Sequence, residues 1–111
     1  MELHFGDVGL VRFPFTDQSG AKQRPAVVVS SEVYSRERPD VVILATTSRL
    51  CPALGFGESL VSDWQAAGLL RPSLFKPILA TVDQQVLVRK LGAITPTECA
   101  TLRELLRVIL S

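Results

Sequence analysis

Two apolar runs constrain this chain more than anything else in it: Pro25-Ala26-Val27-Val28-Val29-Ser30 and Val41-Val42-Ile43-Leu44-Ala45-Thr46-Thr47. Each is short, rich in β-branched residues and free of alternating polar positions, the pattern of a strand buried on both faces. A fold that hides two such strands needs further strands beside them and something to cover them. Residues 7–15, with Val8, Leu10, Val11, Phe13 and Phe15, supply one strand, and Pro14 falls near its end. The polar stretch 16–23 then reads as a loop between antiparallel strands.

Beyond the second buried run the punctuation is dense. Residues 32–40 are charged and connective, with room for one helical turn, and 49–57 carry Pro52, Gly55 and Gly57 and form a loop. Residues 58–61 suggest a short strand. Ser62 can cap a helix of one or two turns over 63–67, with Gly68 to end it. Residues 69–73 and 76–82 read as two strand pieces, 83–85 as a turn and 86–94 as a returning strand. The clearest single element is C-terminal. Thr95-Pro96-Thr97-Glu98 is a capping box with proline at the first helical position, and Cys99, Leu102, Leu105, Leu106, Ile109 and Leu110 follow as an apolar stripe for core or dimer packing. The whole, residues 1–111, is expected to be one domain: mainly β with a C-terminal helix, a small half-open barrel with appended helices.

Composition mostly excludes. The formal net charge is +1, so any nucleic-acid site must be local. A single histidine, His4, argues against a His-based metal site and against a nuclease with two histidines as acid and base; Cys51 and Cys99 stand in no metal spacing. A disulfide between them is not expected in a reducing compartment. No leader pattern and no apolar run long enough to span a bilayer is visible, which implies a soluble, cytoplasmic protein without membrane attachment.

Three places carry chemistry. In Lys22-Gln23-Arg24-Pro25 an arginine stands where a polar loop enters an apolar strand. Its charge cannot be buried cheaply, so its fork must meet solvent, a carboxylate or a phosphate. An ordinary surface salt bridge would satisfy it equally. Thr46-Thr47-Ser48-Arg49 sets three hydroxyls and a cation at a strand end, suited either to a phosphodiester or to plain turn chemistry. Gly68-Leu69-Leu70-Arg71-Pro72-Ser73 repeats the theme of arginine, proline and hydroxyl. Arginines and hydroxyls without metal ligands suit metal-free handling of RNA, which brings its own 2'-OH nucleophile.

The segment from Gly6-Asp7-Val8-Gly9 through Phe13-Pro14-Phe15-Thr16-Asp17, the strand Arg24-Pro25-Ala26-Val27-Val28-Val29-Ser30 and the threonine-serine strand end together resemble the PemK/MazF toxins. Gly68 to Ser73, Ala80-Thr81-Val82-Asp83 and Leu91-Gly92-Ala93-Ile94 are similar to that family's second half. The resemblance implies an SH3-like barrel of the PemK/MazF/CcdB type, a homodimer and a toxin of a type II toxin–antitoxin pair. It also implies sequence-specific cleavage of single-stranded RNA without metal or cofactor, by 2'-OH attack to a 2',3'-cyclic phosphate. By the same resemblance Arg24 and Thr47 are catalytic, with Arg71 and Ser73 in a second site segment. Some relatives carry an acid where Ser73 stands, so the resemblance leaves the base unassigned. Phe15, Thr16, Asp17, Lys22, Gln23, Ser48 and Arg49 fall along the implied RNA groove, with the loop 16–23 matching a mobile flank of it. An antitoxin is the implied protein partner. A non-catalytic binding protein of the same fold, such as a gyrase poison or an SH3-like module, is the alternative. Phe56 and Trp64 are candidates for base stacking or, more simply, for the core.

Overall fold

The computed structural model describes residues 2–13, 22–50 and 53–111. Its elements run β1 Asp7–Phe13, β2 Lys22–Val28, α1 Glu32–Glu37, β3 Asp40–Thr47, β4 Ser59–Leu60, β5 Leu74–Asp83, a 3-10 turn Gln84–Val86, β6 Leu87–Ala93 and α2 Pro96–Leu110. All strand pairs are antiparallel, and they form one sheet in the order β4-β5-β3-β2-β1-β6. Register shifts in the β1–β6 and β3–β5 pairs bend and twist the sheet, as extra residues in a ladder do.

The two buried runs behave as their sequence demands. Val27 and Leu44 lie in one apolar cluster with Val8, Phe75 and Leu102. Ala26, Val28, Val41 and Ile43 lie in another with Leu3, Val11 and Leu87. Successive side chains of one strand thus enter two cores on opposite faces. Each fully buried valine or leucine here contributes about 1.5–3 kcal/mol by leaving water. Helix α2 covers the first cluster through Leu102, with Cys99, Leu105 and Leu106 against it. Its stripe leaves the core in the last turn, where Leu110 is 67% exposed. Cys99 is a free thiol whose burial pushes its pKa up, and Cys51 lies outside the described residues.

Several boundaries differ from the sequence-based expectation. Lys22, Gln23 and Arg24 belong to β2 rather than to a loop, because they pair with Phe13, Arg12 and Val11 of β1. Pro25 is tolerated there because the ladder to β3 begins only at Ala26↔Ala45, where no proline N–H is required. Residues 69–73 are not a strand; β5 is one strand that begins at Leu74 and absorbs Pro77 opposite its bulge with β3. The short helix expected over 63–67 is a pair of turns. The amides of Ser62 and Asp63 donate to the Glu98 carboxylate (2.6 and 3.4 Å), and the capping oxygen is that of Asp63, which accepts from the Ala66 amide (3.1 Å). Gly68 does end the segment, at φ +82°.

The same bonds alter the capping box of α2. Thr95 Oγ1 accepts from the Glu98 amide as expected, and Pro96 opens the helix. The Glu98 side chain, 5% exposed, reaches across to residues 62 and 63. One carboxylate thereby joins the helix start to the turn that leads to Arg71. Glu98→Ala is expected to destabilise the fold by about 2 kcal/mol, the loss of charge-assisted bonds to backbone donors. Urea unfolding checks it, together with faster hydrogen exchange at the Ala67 and Leu69 amides; unchanged exchange there would contradict the cross-link. On the opposite side, the Gln84 side chain donates to the carbonyls of Ser35, Arg38 and Asp40, tying α1 to the turn before β6. The Arg38 guanidinium beside Asp40 holds that carboxyl below its ordinary pKa.

Candidate functional site

The sheet order brings distant segments to one rim. β2 contributes Gln23, Arg24 and Pro25, and β1 contributes Leu10 beside them; Thr46 and Thr47 end β3, and Ser48 and Arg49 follow. β6 brings Arg89 and Leu91 on the far side of β1, and the segment from Gly68 to Ser73 leans over from above. Together they line a groove of about 670 Å³.

Each element sets its residue for a local reason. Thr46 is buried, and its hydroxyl donates to the Pro25 carbonyl (2.9 Å), fastening the end of β3 to the backbone beside Arg24. Thr47 is half-buried; its Oγ1 accepts from the Arg49 amide (3.1 Å), a side-chain-to-backbone turn that leaves the hydroxyl proton uncommitted by that bond. Ser73 is 5% exposed and donates to the Arg71 carbonyl (2.9 Å), so it holds the bend that presents Arg71. The turn itself rests on β6: a Cβ on Gly68 would lie 2.2 Å from the Leu91 carbonyl oxygen, and one on Gly92 would lie 2.7 Å from that of Ala67. Only glycine at 68 permits both that approach and the positive φ.

Electrostatically the groove stands apart from the chain. Four guanidinium groups line it, those of Arg24, Arg49, Arg71 and Arg89, against a net charge of +1 for the whole sequence. Among the described residues none of the four makes a salt bridge, and the lining residues include no carboxylate, imidazole or thiol. Positive charges gathered with no counter-charge in the described lining focus a field on any polyanion that enters. The described residues also hold Glu2, His4 and Glu32 close together, with His4 Nδ1 3.1 Å from Glu32 Oε2. This exposed group shares no residue with the groove.

Of the residues singled out in the sequence, Gln23, Arg24, Thr47, Ser48, Arg49, Arg71 and Ser73 come together. Phe15, Thr16 and Asp17 lie outside the described residues, as does the side chain of Lys22. Neither Phe56, 82% exposed, nor Trp64, packed against the core, lines the groove. Sequence reasoning missed Leu10, Leu70, Leu91 and Arg89. For Arg89 the only usable signal is register: it is the cross-strand partner of Leu10.

A curled antiparallel sheet with a C-terminal helix and an arginine-lined groove at one rim defines a class of small β proteins with a cationic groove across their strand ends. The sequence matches the family of PemK-like, MazF-like toxins of type II toxin–antitoxin systems over residues 4–110, and the chain belongs to that family. Its fold is that of MazF-like toxins. It is similar to a mycobacterial endoribonuclease in complex with its cognate antitoxin, at 20% identity and a TM-score of 0.76, over 99% of this chain and 95% of that one. It is similar also to the Mycobacterium tuberculosis toxin MazF-mt6, at 18% identity and 0.75, over 93% and 94%. The MazE–MazF structure of Deinococcus radiodurans gives 19% and 0.75, over 98% and 97%. No curated protein sequence matches the chain. No helix among the described residues is long and apolar enough to cross a membrane.

Proposed function

We propose that this chain is a sequence-specific, metal-independent endoribonuclease that cleaves single-stranded RNA as the toxin of a type II toxin–antitoxin system in the cytoplasm. The observation that carries this reading is the groove: four arginines without salt bridges among the described residues, flanked by hydroxyls, with no carboxylate in its described lining. Such a site is made for a phosphodiester. In the proposed reaction the 2'-OH gives up its proton as its oxygen attacks phosphorus, and the bond to the 5'-oxygen breaks as that oxygen takes up a proton, leaving a 2',3'-cyclic phosphate and a 5'-OH. Arg24 holds the scissile phosphate and stabilises its added charge, and the Thr47 hydroxyl donates to a phosphate oxygen or orients the 2'-OH. Arg71 adds a second cation, placed by Ser73. Gln23, Ser48 and Arg49, with Phe15, Thr16, Asp17 and Lys22, contact the flanking RNA.

A second reading is a protein of this fold that only binds. Two observations favour it: the Ser73 hydroxyl is committed to the Arg71 carbonyl, and the described lining includes no imidazole, carboxylate or thiol to serve as a base. Mapping cleavage ends on a long RNA with a chelator present separates the two. Discrete cuts with 5'-OH ends are expected; intact RNA under conditions where the protein still binds it would leave the binding reading.

Partners follow from the same proposal. A cognate antitoxin would compete for the groove. A homodimer fits the apolar surface where Gly57 meets Pro77 and Ile109, flanked by the exposed Phe56 and Leu110. Light scattering at micromolar concentration is expected to give about twice the 12.1 kDa chain mass. Phe56→Asp is expected to reduce it to one chain, and a monomer in the unaltered protein would count against the dimer.

A further inference from the structure

The β6 end of the groove differs from the end that carries Arg24. Leu70 is 93% exposed, on a turn anchored directly to β6 at Leu91. An almost bare leucine two residues beyond that close approach offers an apolar wall to the groove. Below it lie the half-buried Leu10 and Leu91 and the buried Leu69. Arg89 and Leu91, both on β6, line the groove together, and Arg89 stands opposite Leu10 in the ladder. Two strand spacings, about 10 Å, separate the backbones of β2 and β6. Arg89 is therefore placed for a different phosphate from the one at Arg24.

We infer that this end of the groove is a nucleotide subsite beside the scissile phosphate: Leu70, Leu10 and Leu91 receive one face of a base, and Arg89 receives that nucleotide's phosphate. The inference rests on the proposed RNA-cleaving function. An apolar wall and floor beside a cation match the two halves of a nucleotide, a flat ring and an anion. Leucine faces carry no hydrogen-bonding code, so the preference they impose is for ring size and stacking and not for a base-edge pattern.

The test uses the whole protein, Leu70→Ser and Arg89→Ala, with circular dichroism melts to show that both variants fold. Binding is measured on a short mixed-sequence 2'-O-methyl RNA, which 2'-OH attack cannot cut, and on an abasic oligomer of the same length. Leu70→Ser is expected to weaken binding of the base-bearing oligomer about tenfold and to leave the abasic one unchanged. Arg89→Ala is expected to weaken both and to reduce the salt dependence by about one phosphate contact. On cleavable RNA, Leu70→Ser is expected to flatten the base preference at one flanking position, and Arg89→Ala to raise KM more than it lowers kcat. Wild-type binding by both variants would overturn the subsite while leaving the RNA reading intact. So would a Leu70→Ser effect equal on both oligomers. Failure of the unaltered protein to bind or cut any RNA would overturn both together.

Discussion

Arg24→Ala is expected to slow RNA cleavage by about a thousandfold or more, the scale seen when a charge-stabilising donor is removed from a phosphoryl or acyl transition state. The melting temperature should stay nearly unchanged, because the side chain is exposed at the rim and surface truncations of this kind stay within about 0.5 kcal/mol. Its backbone pairing with Val11 survives the substitution. Arg24→Lys is expected to recover only part of the rate, since an ammonium keeps the charge but loses the two-pronged grip on phosphate. Single-turnover cleavage of a mapped RNA site provides the measurement; a wild-type rate in Arg24→Ala would end the assignment of this residue to the chemistry.

The largest effect on stability is expected from Gly68→Ala. The residue sits at φ +82°, where an L side chain costs about 1–2 kcal/mol, and the added methyl would meet the Leu91 carbonyl at 2.2 Å. Backbone, not a flexible side chain, would have to move. A loss of about 3 kcal/mol or more in urea unfolding is expected, accompanied by lower cleavage because the displaced turn carries Leu69 to Arg71. Gly55→Ala supplies the comparison. Its Cβ would meet only the end of the Glu58 side chain, at 3.2 Å, and the change should be close to neutral. Equal stability of the two variants would show that the turn does not bear on β6 as described.

These two positions also mark what could and could not be seen in the sequence. Arg24 was legible because a charged residue entering an apolar strand raises a question that burial alone can pose. The strands around Val27 and Leu44 were legible because a run without polar alternation has one economical solution. The first turn of α2 was legible for Thr95 and Pro96, whose capping is local. Glu98 was only half legible: its spacing announces a capping box, but its carboxylate serves residues 62 and 63, which no local pattern relates to it. Residues 63–67 form turns because their backbone bonds change spacing, Ala67 to Asp63, Gly68 to Gln65 and Leu69 to Trp64, so no regular helix continues. Arg89 lay beyond reach for a reason similar to that for Glu98. An arginine on an amphipathic strand is ordinary until the ladder sets it opposite Leu10 and the turn at Gly68 comes against Leu91 on the same strand.

The four arginines come from separate places, on β2, after β3, before β5 and on β6, and no two are neighbours in sequence. No single stretch of the chain therefore carries the groove's charge. The lining is whole only when β6, which brings Arg89 and Leu91, pairs with β1. A chain stopped short of β6 would lack those two residues and the backbone against which the Gly68 turn rests, so the groove belongs to the whole sheet and to no smaller piece of it.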